Sequence, residues 1–202
     1  MCVNIIAMTE RIVIRNGSRI LTPKQYRQFR EALDPNGGYR IILDVLVNTG
    51  LRVVEFWYVA RHPECYHASA RVIDLPKAGA AKKPKSKTTD RTIKLTPQGC
   101  KALETLYSSE IEFRDRTSMR EAFIRAAKKA GLGVDGINPK MCRKWLVSWL
   151  FECRKDIGID SADITANMGH GEDVMIQNYL GIFSSDDHMD ILMFLRGWGE
   201  AR

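Results

Sequence analysis

The sequence predicts a mostly α domain of the α+β kind, in the order helices, one small antiparallel sheet that carries a basic hairpin, then helices. Three observations carry that reading. Most segments repeat apolar residues at helical spacing, two short stretches alternate polar and apolar residues, and the run between those two holds most of the excess charge. With 202 residues, 45% of them hydrophobic, the chain can bury a real core as one large domain or two small ones.

The elements follow in order. Thr22-Pro23-Lys24-Gln25 starts a helix, with Thr as N-cap, Pro at N1 and Gln at N3, and Tyr26, Phe29 and Leu33 continue it until Asn36-Gly37-Gly38. Tyr39 to Val47 is apolar almost all round, as a central buried helix is, and Gly50 separates it from a helix over residues 51–59. Arg71 to Leu75 and Arg91 to Leu95 alternate as half-buried strands do. Thr96-Pro97 opens a helix bearing Cys100, Leu103 and Leu106. Ser118 to Glu121 reads as a capping box whose helix ends at Gly131. After Asn138-Pro139 comes a helix with Leu146, Trp149, Leu150 and Cys153 on one face. Ser161 caps a short helix ending near Gly169, Asp173 to Leu180 forms another, and Asp186-Asp187 caps a last one over 187–198.

The charge is concentrated. Of a net +7, the twenty residues from Pro76 to Leu95 hold seven basic residues against Asp90 alone. Such a run is a solvated linker in many chains, but here strands flank it, which makes it the tip of a long hairpin able to neutralise phosphates in a groove. Lys82, Lys83, Lys85, Lys87 and Arg91 are its candidate polyanion-binding residues. No apolar run approaches the length of a membrane span, and no basic segment precedes an apolar stretch as in a secretory signal. Five cysteines without CxxC spacing argue against a disulfide framework and for a reducing, cytoplasmic setting. No carboxylate cluster or His/Cys spacing marks a metal site, and no cofactor is expected.

Taken singly, the polar residues are weak signals. Arg52 could pair with Glu55, Arg143 could be surface charge, His170 a turn residue and Tyr179 a core tyrosine. Together they form a pattern. Thr49 to Glu55 resembles the first arginine box of the tyrosine recombinases, the integrase family. Ser86-Lys87-Thr88, with the strand behind it, resembles that family's hairpin carrying the catalytic lysine. Asn138 to Arg143 resembles the His-x-x-Arg box, with Lys140 where the histidine usually stands, as in integrases of archaeal viruses or plasmids. Met168-Gly169-His170, with Tyr179 nine residues on, resembles the last box.

The resemblance implies a tyrosine-recombinase catalytic domain over residues 20–202, with 1–19 as an extension or linker remnant. The family's N-terminal core-binding domain has no counterpart in this sequence, so the chain corresponds either to a fragment of a longer integrase or to a stand-alone minimal protein. The implied partner is double-stranded DNA at attachment sites, and the implied assembly is a tetramer on DNA, built through the C-terminal helix.

It also implies a division of labour among Arg52, Lys87, Lys140, Arg143, His170 and Tyr179. A phenol has a pKa near about 10 and a phosphodiester repels an approaching anion, so cleavage needs a clamp of fixed positive charge. Arg52 and Arg143 supply it through planar forks, with His170 as a further donor. Lys87 protonates the leaving 5′ oxygen, and Tyr179 attacks to give a 3′-phosphotyrosyl link. Lys140 either takes the phenol proton after losing its own or contributes charge alone, and the second role is favoured. Trp145 and Trp149 read as core or as stacking platforms for bases, with core favoured. Two other functions share the pattern: a type IB topoisomerase-like enzyme, and a catalytically silent DNA-binding regulator.

Overall fold

The computed structural model describes residues 13–77, 90–111, 115–169 and 183–196. It begins with an antiparallel hairpin of β1 (Val13–Arg15) and β2 (Ser18–Ile20), in which Val13 faces Ile20 and Arg15 faces Ser18. Asn16 and Gly17 form its turn at φ 43° and 64°, the two positive values that a tight two-residue hairpin loop requires. The boundary expected at residue 20 cuts through this hairpin. Ser18 and Arg19 are buried with Ile20, and the Arg19 backbone N–H donates to the Gly136 carbonyl at 2.9 Å, so this strand is built into the domain.

The remaining elements are α1 (Pro23–Ala32), α2 (Gly38–Thr49), α3 (Val53–Val59), β3 (Tyr66–His67), β4 (Val72–Leu75), β5 (Arg91–Lys94), α4 (Pro97–Ser108), α5 (Arg116–Lys129), α6 (Met141–Glu152), α7 (Ser161–Met168) and α8 (Ser185–Phe194). Strands β3, β4 and β5 make one antiparallel sheet in that order, with Ile73 opposite Ile93 at its buried centre. Both expected strands are present, and β3 adds a short third. The expected helix over 173–180 lies outside the described residues. Among the described residues no helix is long and apolar enough to cross a membrane.

Local chemistry sets the helix starts. At Thr22 the full capping box forms, the hydroxyl accepting from Gln25 N–H and the Gln25 side-chain Oε1 accepting from Thr22 N–H. Thr96 caps α4 as expected. Three starts differ by a few residues. Asp115, not Ser118, caps α5, because its carboxylate is already placed to accept from the Ser118 N–H at 2.8 Å. Asp160 rather than Ser161 caps α7, and Ser184 rather than the Asp186-Asp187 pair caps α8, with Asp187 reaching back from N3. A carboxylate or hydroxyl one to three residues earlier accepts a first-turn N–H, so each helix starts there.

The core centres on α2 and α6. Helix α2 packs against α4 and α6, while α1 meets α5 and α8, and α6 also meets β2 and α7. Every residue of α6 from Met141 to Leu150 is buried. Trp145 and Trp149 are both fully buried, and their indole N–H groups donate to the carbonyls of Arg19 at 2.7 Å and Leu21 at 2.9 Å. Both therefore belong to the interior and neither is a base-stacking platform. They also lock the N-terminal hairpin to α6. Tyr26 joins them, with its hydroxyl donating to Asp44 at 2.9 Å while Arg30 grips the same carboxylate at 2.6 and 2.7 Å. Cys65, Cys100, Cys142 and Cys153 are buried free thiols.

Candidate functional site

Glu55 is fully buried at the third position of α3, and three arginines surround it. Its carboxylate accepts from the Arg52 backbone N–H at 2.7 Å, as a helix N-terminus requires, and from Arg52 Nη1 at 2.5 Å. Arg91 Nη2 donates at 2.8 Å to the same oxygen, Oε2, that accepts from the Arg52 backbone N–H, and Arg143 Nη1 lies 3.7 Å from it. Burial alone would push this carboxyl up; the charges of Arg143, Arg91 and Arg52 outweigh it and hold Glu55 below the usual carboxylate range. Arg91 moves down as well, from burial, with Glu55 pulling against that and Arg52 adding to it. Both directions fit one carboxylate shared among three guanidiniums.

The same arginines tie two helix ends together. Gly50 ends α2 at φ 66°, and its carbonyl accepts from Arg143 Nη1 at 2.7 Å. Gly169 ends α7 at φ 62°. The Met168 carbonyl accepts from Arg91 Nη1 at 2.8 Å and from Arg143 Nη2, and the Gly169 carbonyl accepts from Arg52 Nη2 at 3.4 Å. A Cβ at Gly50 would sit 2.7 Å from the Met168 methyl, so that side chain would have to shift to admit one. The glycines permit the left-handed turns, and the turns aim carbonyls at guanidiniums.

Outward from this cluster lies a concave pocket of about 280 Å³, lined by Leu51, Arg52, Val53, Val54, Arg116, Lys140, Arg143 and Lys144. All five of its charged residues are basic. Arg52 keeps 32% of its side chain exposed, whereas Arg143 keeps 6%. Lys140 is exposed at the N-cap of α6, its backbone N–H bonded to the Asn138 side chain. The positive end of the α6 dipole adds to the same field. Lys144, one turn further on, is buried and donates to the carbonyls of Arg15 and Asn16 in the hairpin turn. Burial, with the charge of Lys140, lowers its pKa.

Of the residues singled out from sequence, the structure brings together Arg52, Arg143 and Lys140. Lys82, Lys83, Lys85, Lys87, His170 and Tyr179 lie outside the described residues. Arg91 differs from expectation. It stands with the hairpin lysines in sequence, yet its side chain is 7% exposed and engages Glu55 and Met168. Strand β5 turns it inward, at the edge of the sheet that meets α7. Glu55 and Lys144 emerge as site residues that charge counting did not select. For Glu55 the signal was its place three residues after Arg52, the capping-box offset. Arg116 likewise enters from the first turn of α5, with nothing in its local sequence to mark it.

No protein-family model matches the sequence, and no curated protein matches it either. Solved structures do match in fold. The Tn1549 transposon integrase, solved in complex with circular intermediate DNA, superposes with a TM-score of 0.61 at 16% identity over 87% of this chain and 66% of that one. XerA recombinase gives 0.61 at 18% identity, over 88% of this chain and 65% of that one. This chain thus spans about two thirds of the length of those proteins. Its structural neighbours are recombinases and integrases, and its fold is that of a tyrosine-recombinase catalytic domain.

Proposed function

We propose that the protein is a site-specific DNA recombinase, an integrase of a mobile element, that cleaves and rejoins DNA through a 3′-phosphotyrosyl link to Tyr179. The observation that carries this reading is the joint placement of Arg52 and Arg143 on Glu55, beside a pocket whose charged lining is wholly basic. A scissile phosphate in that pocket meets donors that are already oriented, and preorganised charge is worth most as negative charge builds in the transition state. Lys140 adds charge at the pocket rim. The backbone leading into His170 is fixed by three guanidiniums through the Met168 and Gly169 carbonyls, which suits His170 to a donor role on the same phosphate.

Lys87, on the basic hairpin, protonates the leaving 5′ oxygen, and Tyr179 supplies the nucleophile. The link preserves the energy of the broken bond, so rejoining proceeds without a nucleotide. Helix α8 has its Ile191 and Leu195 buried against its own chain while Met189 and Met193 stand 59% and 64% exposed, one turn apart. That exposed face supports contact between protomers in a tetramer on DNA.

The test is covalent trapping. A nicked suicide duplex carrying the attachment sequence should yield a protein–DNA adduct with the wild type and none with Tyr179→Phe, while DNA affinity stays nearly unchanged. Adduct from the phenylalanine variant would show that another residue attacks. Tyr107, whose hydroxyl donates to the Val59 carbonyl at 3.2 Å, should keep forming adduct as phenylalanine.

A further inference from the structure

A second cluster lies away from the basic pocket, where the end of α6 meets the start of α8. Cys153, Asp156 and His188 each offer one ligand atom there, and these atoms lie within 4.8 Å of one another. The Cys153 sulfur is 3.9 Å from His188 Nδ1, and Asp156 Oδ2 is 3.3 Å from His188 Nε2. Glu152 Oε1 lies 3.2 Å from Nδ1. Cys153 is fully buried, whereas His188 and Asp156 keep 29% and 44% of their side chains exposed, so the cluster has an apolar floor and an open approach. We propose that Cys153, Asp156 and His188 form a binding site for a divalent cation of the zinc type, which fastens α8 to α6 of the same chain.

The donor set decides the metal class. Thiolate, imidazole and carboxylate together suit zinc; a hard cation such as magnesium or calcium takes oxygen donors. Tetrahedral zinc with those ligands places its donor atoms about 3.4–3.6 Å apart, so the apo cluster needs to close by roughly an ångström. His188 has two ring nitrogens and a carboxylate beside each. With Nε2 on the metal beside Asp156, Nδ1 keeps Glu152 as its carboxylate partner, the arrangement that fixes tautomer and ring orientation in protein zinc sites. Water completes the fourth position.

Metal takes the thiolate form of cysteine, so binding replaces the Cys153 thiol proton with metal and releases that proton to solvent. The site joins residues far apart in sequence, with Cys153 and His188 separated by 35 positions, which is why no ligand spacing marks it. Its effect is mechanical. Helix α8 is otherwise held by the Arg27–Asp190 ion pair at 2.6 Å, by Phe194 against Trp149, and by Ile191 and Leu195 in the core. A bound metal adds a fastening at the helix start.

The full chain, freed of metal with a chelator, should bind one equivalent of zinc in competition with a chromophoric indicator. Cobalt in its place should give a tetrahedral visible spectrum with a thiolate charge-transfer band. Cys153→Ser and His188→Gln should each weaken zinc binding by about 10²-fold or more, while Cys100→Ser, a buried thiol elsewhere, leaves it unchanged. Binding that survives both ligand variants overturns the proposal. So does a cobalt complex of the wild type without the thiolate band, a readout that does not depend on whether a variant folds. Neither result bears on adduct formation at Tyr179.

Discussion

Arg91 and Arg143 donate to one acceptor, the carbonyl of Met168, from elements on opposite sides of it. Arg91 comes from β5 and Arg143 from the first turn of α6, so the end of α7 is pinned between sheet and helix. Arg91→Ala should therefore slow cleavage by about 10²-fold, the scale of an ångström's misplacement, with DNA affinity little changed. Arg91→Lys should recover part of the rate, since one ammonium can still reach Glu55 or Met168. Equal losses in binding and cleavage would make Arg91 a DNA-binding residue after all.

Removing the carboxylate at the centre of the cluster should unfold more than it inactivates. Glu55→Ala leaves the buried Arg91 and Arg143 without their counter-charge and should cost about 3–5 kcal/mol in chemical denaturation.

Acidity should reveal the same group. The folded pKa of Glu55 lies below its ordinary 4.5, so its contribution is full above that pH and is lost as pH falls through the folded value. The stability advantage of wild type over Glu55→Gln should be largest near neutrality and shrink as pH falls below 4.5. A constant advantage across that range would place the titration elsewhere.

Lys87→Ala should lose about 10²–10⁴-fold in cleaving an ordinary phosphodiester and little in cleaving a 5′-bridging phosphorothiolate. A thiolate leaves without a proton and an alkoxide does not. Arg52→Ala and Arg143→Ala should be slow on both substrates, because their proposed task is charge on the phosphate. If sulfur rescues Lys85→Ala and not Lys87→Ala, the general acid is Lys85.

The triple variant of Lys82, Lys83 and Lys85 to alanine should weaken binding to all DNA sequences alike. The slope of log affinity against log salt should fall by about 0.9 for each phosphate that is no longer neutralised, up to roughly three units. An unaltered slope would return this run to the status of a solvated linker.

Trp145→Phe should cost stability and spare DNA affinity. It removes the indole donor from the buried Arg19 carbonyl, a loss of about 1–3 kcal/mol, while no indole at this position faces the solvent to stack on a base. A drop in affinity at unchanged stability would contradict the interior placement.

What the sequence made legible was what neighbouring residues decide. Thr22-Pro23 and Thr96-Pro97 start helices through groups three residues away, and the short boxes around Arg52 and Arg143 hold their own local geometry. The N-terminal hairpin was also local, and its Asn16-Gly17 turn was a usable signal, but strands of three residues are too short to show alternation. Arg91 was not legible. Its charge reads the same on a solvated loop as in the interior, and its partner Glu55 lies 36 residues away. Lys144 is similar: its buried ammonium is intelligible only once the hairpin carbonyls of Arg15 and Asn16 are in place.

The two left-handed glycines also set the net charge of the cluster. Each ends a helix, and a helix C-terminus carries roughly half a negative charge on its last carbonyls. Those carbonyls, at Gly50, Met168 and Gly169, point at Arg143, Arg91 and Arg52. Three guanidiniums set against one carboxylate and two such helix ends leave an excess of about one positive charge. The inner cluster therefore adds only about one charge of its own to the pocket, and the rest of the positive field there comes from Arg116, Lys140 and Lys144 in its lining.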